Sequence, residues 1–142
     1  MQPVRLEATA IALALSLAAQ VVHADVVAVV SARSSVTSLS RIQVADIFLG
    51  RSARLPDGRT VVPVDQAEGT SARDEFYARF TGKSPAQIKA YWSKIIFTGR
   101  GLPPRTVRND VEVKKLLAGN PDAIGYIERL EIDANVRAVQ AQ

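Results

Sequence analysis

A glycine and two hydroxyl residues, Gly69-Thr70-Ser71, form the strongest candidate binding site in the chain. They follow an apolar segment and precede an amphipathic one, which places them at the predicted start of a helix. There they offer free backbone N–H groups, side-chain donors and the positive end of the helix dipole, which together suit a small oxyanion such as phosphate. The same residues also form an ordinary helix N-cap, so the pattern leaves both roles open.

Two further residues are candidate contacts for such an anion. Ser34 lies in a hydroxyl-rich loop, residues 31–38, and Arg100 lies in a loop rich in glycine and proline. Arginines in loops can clamp a carboxylate or a phosphate, but they also occur as plain solvated charges. The same two alternatives apply to the other loop arginines, which are Arg51, Arg54, Arg59, Arg105 and Arg108.

The composition excludes much chemistry. The chain has no cysteine, and its single histidine, His23, lies in the segment 1–24 that we expect to be removed as a signal peptide. The mature chain would then contain neither residue, so Ser-His-Asp and Cys-His nucleophile systems and typical zinc sites could not be assembled. A carboxylate-based hydrolase would need two acids within ~10 Å across a cleft, and the spacing of the acids indicates no such pair. We therefore expect a protein that is not an enzyme, without catalytic residues, cofactor or metal. No basic face interleaved with aromatics indicates nucleic acid.

Residues 1–24 predict a cleavable signal peptide. Residues 8–19 carry no charge, and at about 1.5 Å per residue they span roughly 18 Å, which is too short for a ~30 Å hydrocarbon core. Val22-His23-Ala24 places the small side chains that a signal peptidase reads just before Asp25. Removing 24 of the 142 residues leaves 118, enough for one domain. We expect residues 25–142 to be that domain, periplasmic and without membrane insertion after cleavage.

Hydrophobic periodicity and capping signals predict an α/β domain with a mixed, mainly parallel sheet flanked by helices. The predicted elements in order are a strand at 26–30, a helix from Ser40 to Gly50, a strand at 60–64, a helix from Ser71 to Gly82, a helix starting at Ser84-Pro85, a short helix after Asn109, and strands at 123–127 and 135–139. The segment 98–105 is expected to be irregular.

Several sequence blocks resemble the phosphate-binding proteins of phosphate ABC transporters, and in particular a group of short exported relatives. The blocks are Ala45-Asp46-Ile47-Phe48-Leu49-Gly50, Gly69-Thr70-Ser71, Ser84-Pro85-Ala86-Gln87 and Ala123-Ile124-Gly125-Tyr126-Ile127. The resemblance covers nearly all of residues 26–130 and implies a single lobe of the type 2 periplasmic binding protein fold. It also implies a non-catalytic substrate-binding-like protein that holds phosphate or another small oxyanion at Gly69, Thr70 and Ser71.

One position departs from that family. The arginine that would neutralise the ligand in the family falls at or near Asp65, and a carboxylate there repels an anion. This departure favours an alternative function, a ligand-free module that docks on a transporter or sensor protein of the cell envelope. The two functions differ in whether Arg33, Arg51 or Arg100 reaches the turn, or whether Asp65 occupies that place alone.

Overall fold

The structure, a computed structural model, describes residues 25–141, and the predicted signal peptide lies outside the described residues. The helices are α1 (Arg41–Phe48), α2 (Ser71–Thr81), α3 (Pro85–Phe97) and α4 (Asp110–Gly119). The strands are β1 (Val26–Ser31), β2 (Ser38–Leu39), β3 (Val62–Gln66), β4 (Arg105–Val107), β5 (Ala123–Glu128), β6 (Val136–Ala138) and β7 (Gln140–Ala141). A 3-10 turn at Arg129–Glu131 follows β5.

Strand β1 lies inside the main sheet and is buried on both faces, as its continuous apolar run predicts. Successive side chains of a strand point to opposite faces. Val26, Ala28 and Val30 pack on one face with helices α1, α2 and α3, whereas Val27 and Val29 pack on the other face with α4. The sheet therefore has a core on each side, with the larger one beneath α1 and α2.

The main sheet has the strand order β4-β3-β5-β1-β6 and is mixed, as expected. Strand β3 is parallel to β4 and to β5, whereas β1 is antiparallel to β5 and β6. Parallel pairing thus accounts for half of the four pairings. Strands β2 and β7 form a separate parallel pair. No helix within residues 25–141 combines the length and apolarity needed to cross a membrane.

The predicted helix starts are confirmed by their capping contacts. Ser40 and Ser84 each form a complete capping box with the glutamine three residues later. Thr70 and Asn109 accept hydrogen bonds from the backbone of the first turns of α2 and α4. These caps fix where α2 and α4 begin, and both helices begin at the same edge of the sheet.

Strand β3 begins and ends two residues later than predicted, at 62–66 instead of 60–64. Its later end follows from its pairing with β4, a strand at 105–107 that no sequence pattern indicated. That pairing aligns Val64 with Arg105, Asp65 with Thr106 and Gln66 with Val107. Asp65 and Gln66 therefore belong to the strand itself and are buried, although the sequence placed them in a turn.

Candidate functional site

The candidate site lies at the C-terminal end of β3, where the chain turns into α2. Strand β5 runs parallel to β3, and α4 also begins at this edge. In open α/β sheets, ligands bind beyond the carboxyl ends of the parallel strands, close to helix N-termini. The location is therefore the one that the fold offers to an anion.

The carboxylate of Asp65 occupies this location and is only 2% exposed. Its Oδ1 accepts a hydrogen bond from the backbone N–H of Gln66 at 2.8 Å and from the hydroxyl of Tyr126 at 2.5 Å. Its Oδ2 accepts from the hydroxyl of Tyr77 at 2.5 Å. Both oxygens thus have donors within the protein, as a buried carboxylate requires.

Arg73, in the first turn of α2, supplies the positive charge. Its Nε lies 3.7 Å from Asp65 Oδ1, and the side chain is 16% exposed. Nε has no hydrogen-bond acceptor among the described residues, so its contribution to Asp65 is electrostatic. The guanidinium also lies over the ring of Tyr77, 5.4 Å from its centroid. The only cation that pairs with Asp65 in the described structure therefore comes from the first turn of α2.

The two tyrosines act as fixed donors. Burial, and then the negative charge of Asp65, raise the pKa of Tyr77 and of Tyr126 well above the ordinary value, so both hydroxyls keep their protons. Phe76 stacks on the ring of Tyr126 with centroids 4.0 Å apart and meets Tyr77 edge-on. Aromatic packing thus holds the two hydroxyls on the carboxylate.

Gln66 extends the network to α4. Its Nε2 donates to Asp110 Oδ1 at 2.7 Å and to the backbone oxygen of Tyr126 at 3.0 Å. The other oxygen of Asp110 accepts from the backbone N–H of Glu128 at 3.1 Å. A second carboxylate, that of Asp110, therefore lies at the start of α4 and also accepts hydrogen bonds from the protein. We call Asp65, Gln66, Tyr77, Tyr126 and Asp110, together with Arg73, the strand-end network.

The predicted turn Gly69-Thr70-Ser71 lies beside this network. Gly69 has a φ of +90°, in the left-handed region that favours glycine. The Thr70 hydroxyl donates to the backbone oxygen of Ala67 at 3.0 Å and accepts from the N–H of Arg73 at 3.3 Å, and the Thr70 N–H bonds the same Ala67 oxygen. Thr70 thus serves as the N-cap of α2, while Gly69 and Ser71 are exposed.

The structure does not bring the other predicted residues to the turn. Ser34 is buried, and its hydroxyl accepts from the N–H of Val36 at 3.2 Å, a local turn contact. Arg100 is exposed and borders a cleft along α3. Arg33 donates to the backbone of Ala118 at 2.7 Å, and Arg51 lies 3.7 Å from Asp46. The role of Ser34, Gly69, Thr70, Ser71 and Arg100 in ligand binding stays a prediction.

Sequence reasoning missed most of the strand-end network. Asp65 was recognised as a departure, but its partners Arg73, Tyr77 and Tyr126 were not, because they come from two other elements, α2 and β5, that meet β3 only on folding. A weak signal was present, since Asp65 and Gln66 are consecutive polar residues directly after an apolar segment. Across residues 25–141, no cluster of three or more histidines or acids is placed to hold a metal.

Comparisons with known proteins identify the fold. Neither a scan of protein-family models nor a search of curated proteins gives a match. Among solved structures, the chain is similar to a Clostridium perfringens protein that is assigned to the phosphate ABC transporter substrate-binding proteins and was solved with bound phosphate. The two chains share 21% identity and superpose with a TM-score of 0.67, and the match covers 82% of this chain and 44% of that chain.

Two further structures agree with this result. An ABC-type phosphate transport receptor from Vibrio cholerae matches at 18% identity and a TM-score of 0.64, with 82% of this chain and 46% of that chain covered. PstS from Borrelia burgdorferi matches at 12% identity and a TM-score of 0.57, with 83% and 48% covered. The chain has the fold of these proteins and spans less than half of their length, as expected for the equivalent of one lobe.

Proposed function

We propose that this protein is a non-catalytic, exported substrate-binding-like protein that acts by docking on a transporter or sensor protein of the cell envelope. Its fold, shared with phosphate-transport binding proteins, supports the substrate-binding-like class. The observation that carries the docking role is Asp65, whose buried carboxylate fills the strand-end location that an anionic ligand would use.

Two electrostatic effects compete at the turn. A helix N-terminus stabilises an anion by about 0.3–1 kcal/mol at an exposed position. A second anion ~8 Å from Asp65 would be repelled by roughly 2 kcal/mol per charge at an effective dielectric constant of 20. Arg73 offsets part of that repulsion, but its charge is already paired with Asp65. Repulsion therefore offsets the helix dipole, and an added phosphate gains little at Gly69-Thr70-Ser71.

Binding of a small oxyanion at this turn is the second candidate function. It is favoured by the exposure of Gly69 and Ser71 at the start of α2. A ligand there would bind from the outer side of the helix start and leave Asp65 in place. Because it would remain in contact with water, each of its hydrogen bonds would contribute less than in a closed cleft.

Calorimetry with phosphate and with sulfate separates the two candidates. We expect the purified protein to release no heat of binding at millimolar anion, and Ser71→Ala to behave as the wild type. Micromolar binding of phosphate that Ser71→Ala weakens would contradict the docking function and establish the second candidate. The mass of the secreted protein tests export independently, since processing before Asp25 removes the first 24 residues.

The docking function has its own test. Membrane proteins from the native host, passed over the immobilised protein, should leave one partner bound in a stoichiometric amount, and millimolar phosphate should not alter its retention. Retention that depends on phosphate would show that a ligand controls the interaction. Identification of the same partner by cross-linking in intact cells would exclude a chance capture.

A further inference from the structure

Helix α3 is the least buried of the four helices within residues 25–141. Of its thirteen residues only Ile88 and Trp92 are buried, against α1 and α2. At its C-terminal end the side chain of Phe97 is 92% exposed and that of Ile96 is 50% exposed, and Leu102 in the following loop is 82% exposed. Three large apolar side chains within seven residues of chain are thus left in water at one place.

Positive charge accompanies these side chains. The segment from Phe76 to Arg108 contains no acidic residue. Its basic residues are Arg79, Lys83, Lys89, Lys94, Arg100, Arg105 and Arg108. Lys94 and Arg100 border the same cleft of 380 Å³ as Leu102, and neither has an ion-pair partner within the described part of the chain.

We propose that this end of α3, comprising Lys94, Ile96, Phe97, Arg100 and Leu102 and here called the α3 tip, binds the surface of an anionic lipid bilayer. Lys94 and Phe97 are three residues apart and share one side of the helix. A bilayer interface takes exposed apolar side chains at the level of the headgroups, while cations contact the anionic lipids. The protein then lies on the membrane without spanning it.

The shape of the α3 tip favours lipid over a protein partner. Charged residues are depleted at the core of protein interfaces, whereas anionic headgroups attract them. Phe97 and Leu102 extend from the surface close in sequence to Lys94 and Arg100, one at a helix end and the other in a loop with Gly99, Gly101 and two prolines. Unpaired cations beside protruding apolar side chains complement a layer of anionic headgroups that can rearrange around them.

Vesicle co-sedimentation tests the proposal with the purified protein, after mass spectrometry has established that its N-terminus is processed. We expect the protein to bind vesicles made of equal amounts of phosphatidylglycerol and phosphatidylcholine. We expect little binding to vesicles of phosphatidylcholine alone. A basic residue near such a surface contributes about fivefold in partitioning, so Lys94→Gln with Arg100→Gln should lower binding about 25-fold. Phe97→Ser with Leu102→Ser should lower it by at least about tenfold.

Matched controls are available on the other side of the sheet, near α4. Leu130 and Lys115 are exposed, and the double variant Leu130→Ser, Lys115→Gln should bind vesicles as the wild type does. All of these changes are at exposed positions, and thermal unfolding checks that each variant is folded. Absence of binding to anionic vesicles at low salt, or equal loss in the control variant, would overturn the proposal. Because the vesicles contain no protein, such a result leaves the docking function to its own test.

Discussion

Replacing Asp65 by asparagine is the sharpest test of the strand-end network. The change keeps the size of the side chain but removes its charge, and it leaves one acceptor oxygen where the carboxylate has two. The hydroxyls of Tyr77 and Tyr126 and the N–H of Gln66 then compete for that oxygen. Arg73, whose side chain is 16% exposed, loses the only anion within 4 Å of it in the described structure.

The expected cost follows from two contributions. Hydrogen bonds to a charged group contribute about 1.5–3 kcal/mol each, and those between neutral groups about 0.5–1.5 kcal/mol. Replacing the charged acceptor at position 65 by a neutral one therefore costs about 2 kcal/mol. Leaving Arg73 unpaired would cost about 3–5 kcal/mol in a fully buried setting, and we take about 1 because water reaches part of the side chain. The total of about 3 kcal/mol is a large fraction of an ordinary stability of about 5–15 kcal/mol.

Urea unfolding measures this loss directly. Trp92 is the single tryptophan of the chain and is 5% exposed, so its fluorescence reports unfolding of the core. The double variant Asp65→Asn, Arg73→Met should lose less than the sum of the single variants by at least about 1 kcal/mol, because the two charges depend on each other. Asp57→Asn is the control, since this exposed carboxylate also accepts bonds from Arg59 and Ser35. A loss at Asp65 no larger than at Asp57, or strict additivity with Arg73, would refute the network.

Three further predictions concern the same region. Because the pKa values of Tyr77 and Tyr126 are raised in the folded protein, the contribution of the two hydroxyls to stability should be constant below about pH 9. Above about pH 10, where the unfolded tyrosines ionise, it should fall by up to about 2.7 kcal/mol per pH unit. Tyr77→Phe should halve that slope in urea unfolding at several alkaline pH values, and an unchanged slope would contradict the prediction. Gly125→Ala should cost about 1–3 kcal/mol, because a Cβ would lie 2.6 Å from Cγ1 of Val113, and Val113→Ala should rescue part of the loss in thermal unfolding. Thr70→Ala should cost about 1 kcal/mol as a lost N-cap, with Thr70→Ser close to wild type in the same assay.

The elements that the sequence predicted correctly are those defined by neighbouring residues. The capping boxes at Ser40 and Ser84 involve residues three positions apart, so their signal is local and complete in the sequence. The continuous apolar run at 26–30 predicted a strand buried on both faces for the same reason. Strand β4 was missed because three exposed or half-buried residues, Arg105–Val107, become a strand only by pairing with β3.

The site was predictable only in part, for a related reason. Asp65 was visible as an acid where the resembled family has an arginine, and its charge alone indicated repulsion of an anion. What the sequence could not show is that Tyr77, twelve residues later, and Tyr126, sixty-one residues later, donate to it. With three donors inside the protein, this carboxylate is a structural part of the fold.

The strand-end network supports the proposal that this protein functions without a bound anion. Helices α2 and α4 both start at the edge where β3 and β5 end, and such a place attracts negative charge. Asp65 and Asp110 provide that charge from within the chain and take up donors of the surrounding elements. A free phosphate must offset an association cost of about 4–15 kcal/mol in lost motion, and a side chain that is already part of the strand or helix does not. Between a tethered carboxylate and a dissolved anion of similar affinity for the same donors, the tethered group has the lower free-energy cost, as the proposed docking function requires.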